Sequence, residues 1–171
     1  MIDTIFARRS IRNYQERPVE KEKVETLLKA AMAAPSANNI KPWEFVVVTE
    51  FHRLENIRSA MLFGKFNAPL AIIVCGNTSF FKHPMASKFW VQDCSAATQN
   101  ILLAAVELGL GTVWCGVHPI YNFSKRISGI LKLPEYVKPL NVIYVGYGAE
   151  EKPARTQYNP KHVHWENYAE G

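Results

Sequence analysis

Hydrophobic and polar residues along the chain follow two periods, 3.6 and 2, and together they predict helices alternating with strands. Residues 2 to 9 have the spacing of a short helix. Val19 to Ala34 predict a longer one, with Val24, Leu27, Leu28, Ala31 and Met32 on one face and Glu20, Lys21, Lys23 and Glu25 largely on the other. Pro35 stops it. WEFVVVT (43 to 49) has the β-branched density of a buried strand, residues 52 to 63 return to helical spacing, and LAIIVCG (70 to 76) is a second buried strand. Residues 76 to 89 have no clear period and hold several rings, which suits a lid or a partner contact. Val91 to Leu108 form the strongest helical pattern, apolar enough to require burial on most sides and to suggest a subunit interface. GLGTVWCG (109 to 116) closes that helix and opens a short strand. A helix over 122 to 132 and a third core strand, LNVIYVGY (140 to 147), follow, then a polar tail with little use in a compact monomer. Few β-α-β units of standard length occur, so the predicted class is α+β, a mixed central β-sheet with helices on both faces.

The 171 residues, 48% of them hydrophobic, suffice for one domain with a real core, and no repeat or linker divides the chain, so a single domain over 1–171 is expected. The net charge of +5 raises the question of nucleic acid, yet no basic run exceeds two residues, which favours point recognition of small anions over a polyanion. Cys75, Cys94 and Cys115 are odd in number and far apart, which fits a reducing, cytoplasmic setting. The opening MIDTIFARRS has no apolar core of a secretory signal, and no apolar run approaches the length of a bilayer span, so neither export nor a membrane is expected.

Candidate chemistry begins at FARRSIRNY (6 to 14), where Arg8, Arg9 and Arg12 surround Ser10. Like charges repel, so the cluster is either a solvated helix end or a site for an anion such as phosphate. Gly109 and Gly111 lack the strand-then-helix context of a dinucleotide fingerprint and are assigned to the helix C-cap; Gly116, past the strand end, would let a ligand approach the backbone. His162 and His164 have no third ligand nearby, Cys115 has no accompanying triad pattern, and Asp93 reads as a helix cap, so neither a metal site nor a paired acid and base is expected. APSANNIKPW (34 to 43) sets small and amide residues between two prolines. It reads either as a connector or as a rigid edge for a flat polar heterocycle or a sugar alcohol chain.

RRSIR near the start, APSxxNxxPW some thirty residues later, QDxSAATQNxLLAAxxLGLGTxWxG in the middle and VGYGxExKPxR near the end resemble, in order and spacing over nearly the whole chain, the FMN-dependent nitroreductase family. The resemblance implies a three-layer sandwich in an intertwined homodimer. It also implies that Arg8, Arg9 and Ser10 grip the FMN phosphate, with Arg155 reaching the same anion from the far end of the chain, as bidentate guanidinium chemistry suits. Arg12 matches the cation beside the N1 and O2 edge of the flavin, where positive charge favours the reduced ring. Pro35, Ser36, Ala37 and Asn39 match the loop that contacts flavin from the partner subunit, and Cys115 and Gly116 match the strand end whose backbone N–H groups face N5 and O4. Lys41 stands where glutamine is usual and would add charge near the ring or ribityl chain. The chain is shorter than many members, and the 76 to 89 segment is a candidate substitute for their pocket roof.

The function so implied is an FMN enzyme that takes hydride from NADH or NADPH and passes electrons to a small flat acceptor such as a nitroaromatic or quinone, by a ping-pong route with no side-chain acid or base. The alternatives are a specialised flavoenzyme of the same fold, a reductive dehalogenase or flavin-processing enzyme, and a flavin-binding protein without catalysis.

Overall fold

The computed structural model describes residues 2–82 and 86–168. Its helices are α1 (Ile2–Ala7), α2 (Lys21–Met32), α3 (Phe51–Ala60), α4 (Trp90–Glu107) and α5 (Tyr121–Leu131). Its strands are β1 (Trp43–Val48), β2 (Leu70–Asn77), β3 (Gly111–Gly116) and β4 (Val137–Gly146). The sheet order is β1-β2-β4-β3 with every neighbouring pair antiparallel. The expected α+β class with helices on both faces holds, but the mixed character of the sheet is confined to an isolated parallel bridge between Ser10 and Thr112 at the β3 edge.

Two apolar clusters sandwich the sheet. One gathers Leu27 and Ala31 of α2, Ile101, Leu102 and Ala105 of α4, and Ile72, Val74 and Ile143 of the central strands. The other joins Leu54 and Ile57 of α3, Ile127 of α5, and Ile73, Val142 and Tyr144. The central strands β2 and β4 thus face apolar layers on both sides, which is why LAIIVCGN is buried at every position. Each fully buried Leu or Ile contributes about 1.5–3 kcal/mol, so these layers dominate the fold.

Several local expectations are corrected. The first helix stops at Ala7, leaving Arg8 and Arg9 outside it. Asp93 lies inside α4, and its carboxylate accepts the Ala37 N–H at 2.9 Å, so it ties a loop rather than capping its own helix. Gly109, at φ +69°, terminates α4 with Leu110 N–H donating to Ala105 C=O at 2.8 Å, as a C-cap glycine should. Gly111 has another role: a Cβ there would meet Ile11 at 2.8 Å, so the glycine admits the 10–14 segment against the strand. The 76–89 segment forms short 3₁₀ turns at Thr78–Phe80 and Ala86–Phe89, and its residues 83–85, His83 among them, lie outside the described residues. Among the described residues no helix is long and apolar enough to cross a membrane.

Candidate functional site

The arginine cluster is shaped by the edge of β3. Ile11 N–H donates to Thr112 C=O at 2.9 Å, which lays residues 10–12 along that edge. Tyr14, 2% exposed, fixes the segment from below by donating its hydroxyl to the Ile11 carbonyl at 2.5 Å. The far end of the chain arrives at the same place. Arg155 N–H donates to Phe6 C=O at 3.1 Å, Lys152 Nζ donates to Ser10 C=O at 2.7 Å, and the Arg9 guanidinium donates to Pro153 C=O. Arg9 therefore acts as a clasp between the chain ends. The guanidinium groups of Arg8 and Arg155 have no side-chain hydrogen bond or ion pair among the described residues, which leaves both free for an anion.

Arg12 continues the same edge. Its backbone N–H donates to Glu150 Oε1 at 2.6 Å, and that bond, followed by Lys152, holds the Glu150 carboxyl below its ordinary pKa. The Arg12 side chain has no ion pair with Glu16 among the described residues. Its charge instead reaches Cys115, whose thiol burial pushes up to about 11 while Arg12 opposes the shift. Cys115 Sγ packs against Gly64, where a Cβ would come within 3.0 Å and φ is +103°. Only a glycine fits that close approach comfortably.

Strand register divides the expected roles of Cys115 and Gly116. Cys115 faces Val142, and since Thr112 C=O receives Ile11 while Val117 N–H donates to Leu140 C=O, alternation turns the Cys115 backbone toward β4. Its N–H is thus committed within the sheet, and Gly116 is the residue whose backbone faces the open edge. Gly116 is exposed, and a Cβ built there would meet nothing within 4 Å, so a flat ligand has room to approach.

The amide-rich loop is at the opposite edge. Ser36 is extended, Ala37–Asn39 form a 3₁₀ turn, and Asn38, Asn39 and Lys41 take φ of 52°, 54° and 56°. Lys41 N–H donates to Ser36 Oγ at 2.9 Å, and Asn77 N–H fixes Pro42 C=O at 2.7 Å. Pro35, Asn39 and Lys41 are exposed, with Ser36 and Ala37 half-buried. Left-handed non-glycine residues cost energy and persist where the surroundings enforce them.

The sequence-predicted residues therefore fall into two groups. Arg8, Arg9, Ser10, Arg12, Cys115, Gly116 and Arg155 line the β3 edge, whereas Pro35, Ser36, Ala37, Asn39 and Lys41 precede β1 at the other edge, with β2 and β4 between them. Three inter-strand steps put the edges about 14 Å apart. In one chain the two groups thus stand at opposite edges of the sheet. A cleft of about 860 Å³ between α3 and the 15–19 and 65–70 segments contains none of them. Glu150 and Lys152, both in the VGYGxExKPxR block, were given no role there, and Gly64 was not foreseen. The first two lie in a polar stretch without period and Gly64 in an apolar run, and only tertiary packing gives them a role. Among the described residues no group of three or more His, Cys, Asp or Glu is placed to hold a metal ion.

The pattern that defines the Nitroreductase family matches residues 5–64 and 50–147. A Methanothermobacter thermautotrophicus protein assigned as an NADH dehydrogenase/NAD(P)H nitroreductase is 45% identical over 170 residues, covering 98% of this chain and 87% of its own. An FMN-dependent nitroreductase from Clostridium difficile superposes with a TM-score of 0.89 at 36% identity, covering 98% of this chain and 100% of its own. A nitroreductase-assigned protein of Desulfovibrio desulfuricans, solved in complex with FMN, gives 0.80 at 26% identity over 98% and 97% of the two chains. With that family pattern over most of its length and a relative 45% identical over nearly all of it, the chain belongs to the nitroreductase family.

Proposed function

We propose that residues 1–171 form one FMN-binding domain and that the protein is an NAD(P)H-dependent FMN oxidoreductase. It acts as a homodimer, passing electrons to small flat acceptors such as nitroaromatics or quinones in ping-pong fashion. The observation that carries the reading is the meeting of the chain ends: the Arg155 N–H bond to Phe6 sets Arg155 two residues from Arg8, and both guanidinium groups lack protein partners among the described residues. Two forked cations beside the Ser10 hydroxyl fit a phosphate dianion. Farther along the same edge, Arg12 and the open backbone of Gly116 suit the polar rim of a flat ring. When bound, FMN supplies the hydride and electron chemistry, and the chain contributes binding, orientation and charge. The loop from Pro35 to Lys41, on the opposite edge, completes the site from the second subunit.

The test uses both ends of the chain. Arg8→Ala and Arg155→Ala are each expected to weaken FMN binding by about 1.5–3 kcal/mol and to leave riboflavin binding nearly unchanged, because only the phosphate meets them. Equal weakening of both flavins would refute the phosphate assignment. Anaerobic mixing with NADH or NADPH then separates an enzyme from a flavin store, since only an enzyme bleaches at a useful rate, and initial-rate patterns with a quinone should give the parallel lines of a ping-pong route.

A further inference from the structure

Asp93 is 5% exposed, yet among the described residues its carboxyl makes a single hydrogen bond, from Ala37 N–H to Oδ1 at 2.9 Å. Oδ2 is buried with no hydrogen-bond partner among the described residues. A half-satisfied buried carboxyl is costly, and an apolar side chain would suit the interior of α4 better, so the residue needs a reason that packing does not supply. Burial pushes its pKa up, and the Ala37 N–H opposes that shift.

The loop on the other end of this bond explains the choice. Its internal bonds, Asn39 N–H to Ser36 C=O and Lys41 N–H to Ser36 Oγ, both at 2.9 Å, fix its shape but not its position on the sheet. Two hydrogen bonds from outside tie it there, Asn77 N–H on Pro42 C=O at the strand end and Asp93 on Ala37 at the start. Between them lie the left-handed Asn38, Asn39 and Lys41. A charge-assisted bond from a carboxylate is stronger than one from a neutral acceptor, which suits an anchor that must hold a strained segment.

We propose that Asp93 is a positioning residue for the flavin: its buried carboxyl latches Ala37 and holds the Ser36–Lys41 edge in the conformation and place that meet the cofactor. This rests on the reading of that loop as a flavin contact. Asp93 touches no part of the ligand itself and acts through the loop.

The latch has two halves, and each can be removed separately. Asp93→Ala removes the acceptor. Ala37→Pro removes the donor and sets its ring Cδ against the Asp93 carboxyl, which must turn away, while the preceding backbone suits it: Ser36 at φ −143°, ψ 152° has the extended conformation required before proline, and Ala37 opens a 3₁₀ turn. FMN dissociation constants are measured by fluorescence quenching on refilled apoprotein, alongside thermal melting of the apoprotein. Both variants should bind FMN at least about tenfold more weakly, the double variant no more weakly than Asp93→Ala alone, and Asp93→Asn, which keeps the acceptor, within about threefold of wild type. FMN binding by Asp93→Ala and Ala37→Pro within twofold of wild type would overturn the latch, as would an Asp93→Asn variant as weak as Asp93→Ala. Asn39→Ala reports on the underlying reading. If it weakens FMN binding while the latch variants do not, only the latch fails. If FMN binding ignores Asn39→Ala as well, the loop is no flavin contact and both fail.

Discussion

Arg12 differs from the other arginines of its cluster in what it would sense. Arg8 and Arg155 would meet the same phosphate whether the flavin is oxidised or reduced, whereas Arg12, lying toward Cys115 along the strand edge, would face a ring whose charge changes on reduction. Arg12→Gln should therefore lower the two-electron potential of bound FMN while changing affinity for oxidised FMN much less. A loss of about 1.4 kcal/mol of differential stabilisation corresponds to roughly 30 mV for a two-electron couple. Spectroelectrochemical titration measures it, and an unchanged potential with flavin still bound would return Arg12 to the surface. The crowding of Arg8, Arg9 and Arg12 around Ser10 was legible from local sequence alone. The diversion of Arg9 to Pro153 was not, because it depends on a backbone carbonyl 144 positions away that carries no side-chain signal. Gly116 was legible as open backbone, although it is the last residue of β3 rather than past its end, whereas the inward turn of the Cys115 N–H follows from a register with β4 that local pattern does not specify.

Between elements, Glu150 joins the segment that follows β4 to the segment that precedes α2. It accepts Arg12 N–H at 2.6 Å and Asn13 N–H at 3.3 Å, and Lys152 Nζ, 3.0 Å away, bonds onward to Ser10. These donors favour the ionised carboxylate, so its folded pKa is lowered, first by the Arg12 N–H and then by Lys152. A depressed carboxylate contributes stability above its unfolded pKa and loses that contribution as the pH falls through the folded value. Glu150→Gln should accordingly be less stable than wild type at neutral pH, with the difference shrinking as the pH drops below the usual glutamate range. Denaturant melts across that range check it, and a difference independent of pH would mean that the donors do not distinguish the charged form. The main elements were legible where apolar period and burial agree, as in β2 and α4, whereas β1, expected as a buried strand, is an edge strand with Glu44 and Val47 exposed. The start of β4 was not, since Pro139 cannot donate to a ladder and argues against a central strand. It is accommodated where the β2–β4 register shifts between Val74 and Cys75, an irregularity created by the pairing itself.

At the scale of the whole molecule, one chain leaves its candidate site in two halves and much of its apolar surface bare. Ile2, Ile5 and Phe6 of α1 are 60%, 47% and 40% exposed, and the tail exposes Tyr158, Trp165 and Tyr168 at 74%, 83% and 80%. A six-residue helix with no buried side chain is far below the length that holds itself in water, and a tail pinned through Lys152, Pro153 and Arg155 but exposed over 153–168 has little to rest on. In the proposed homodimer a second copy related by a two-fold axis would cover these surfaces and bring the Pro35–Lys41 loop of one subunit to the arginine edge of the other. This makes a sharper prediction than the mass of a dimer. Arg8→Ala damages the edge half of each site and Asn39→Ala the loop half, so each homodimer has both of its sites impaired. When the two variants are unfolded together and refolded, random pairing makes about half of the dimers mixed, and each mixed dimer has one site with both halves intact, so about a quarter of all sites should regain wild-type FMN affinity. Titration with FMN reads this directly as a tight-binding fraction absent from either variant refolded alone. No recovery, in a mixture shown to contain mixed dimers, would place the whole site within one chain, because a site built from a single chain carries its damage wherever that chain goes.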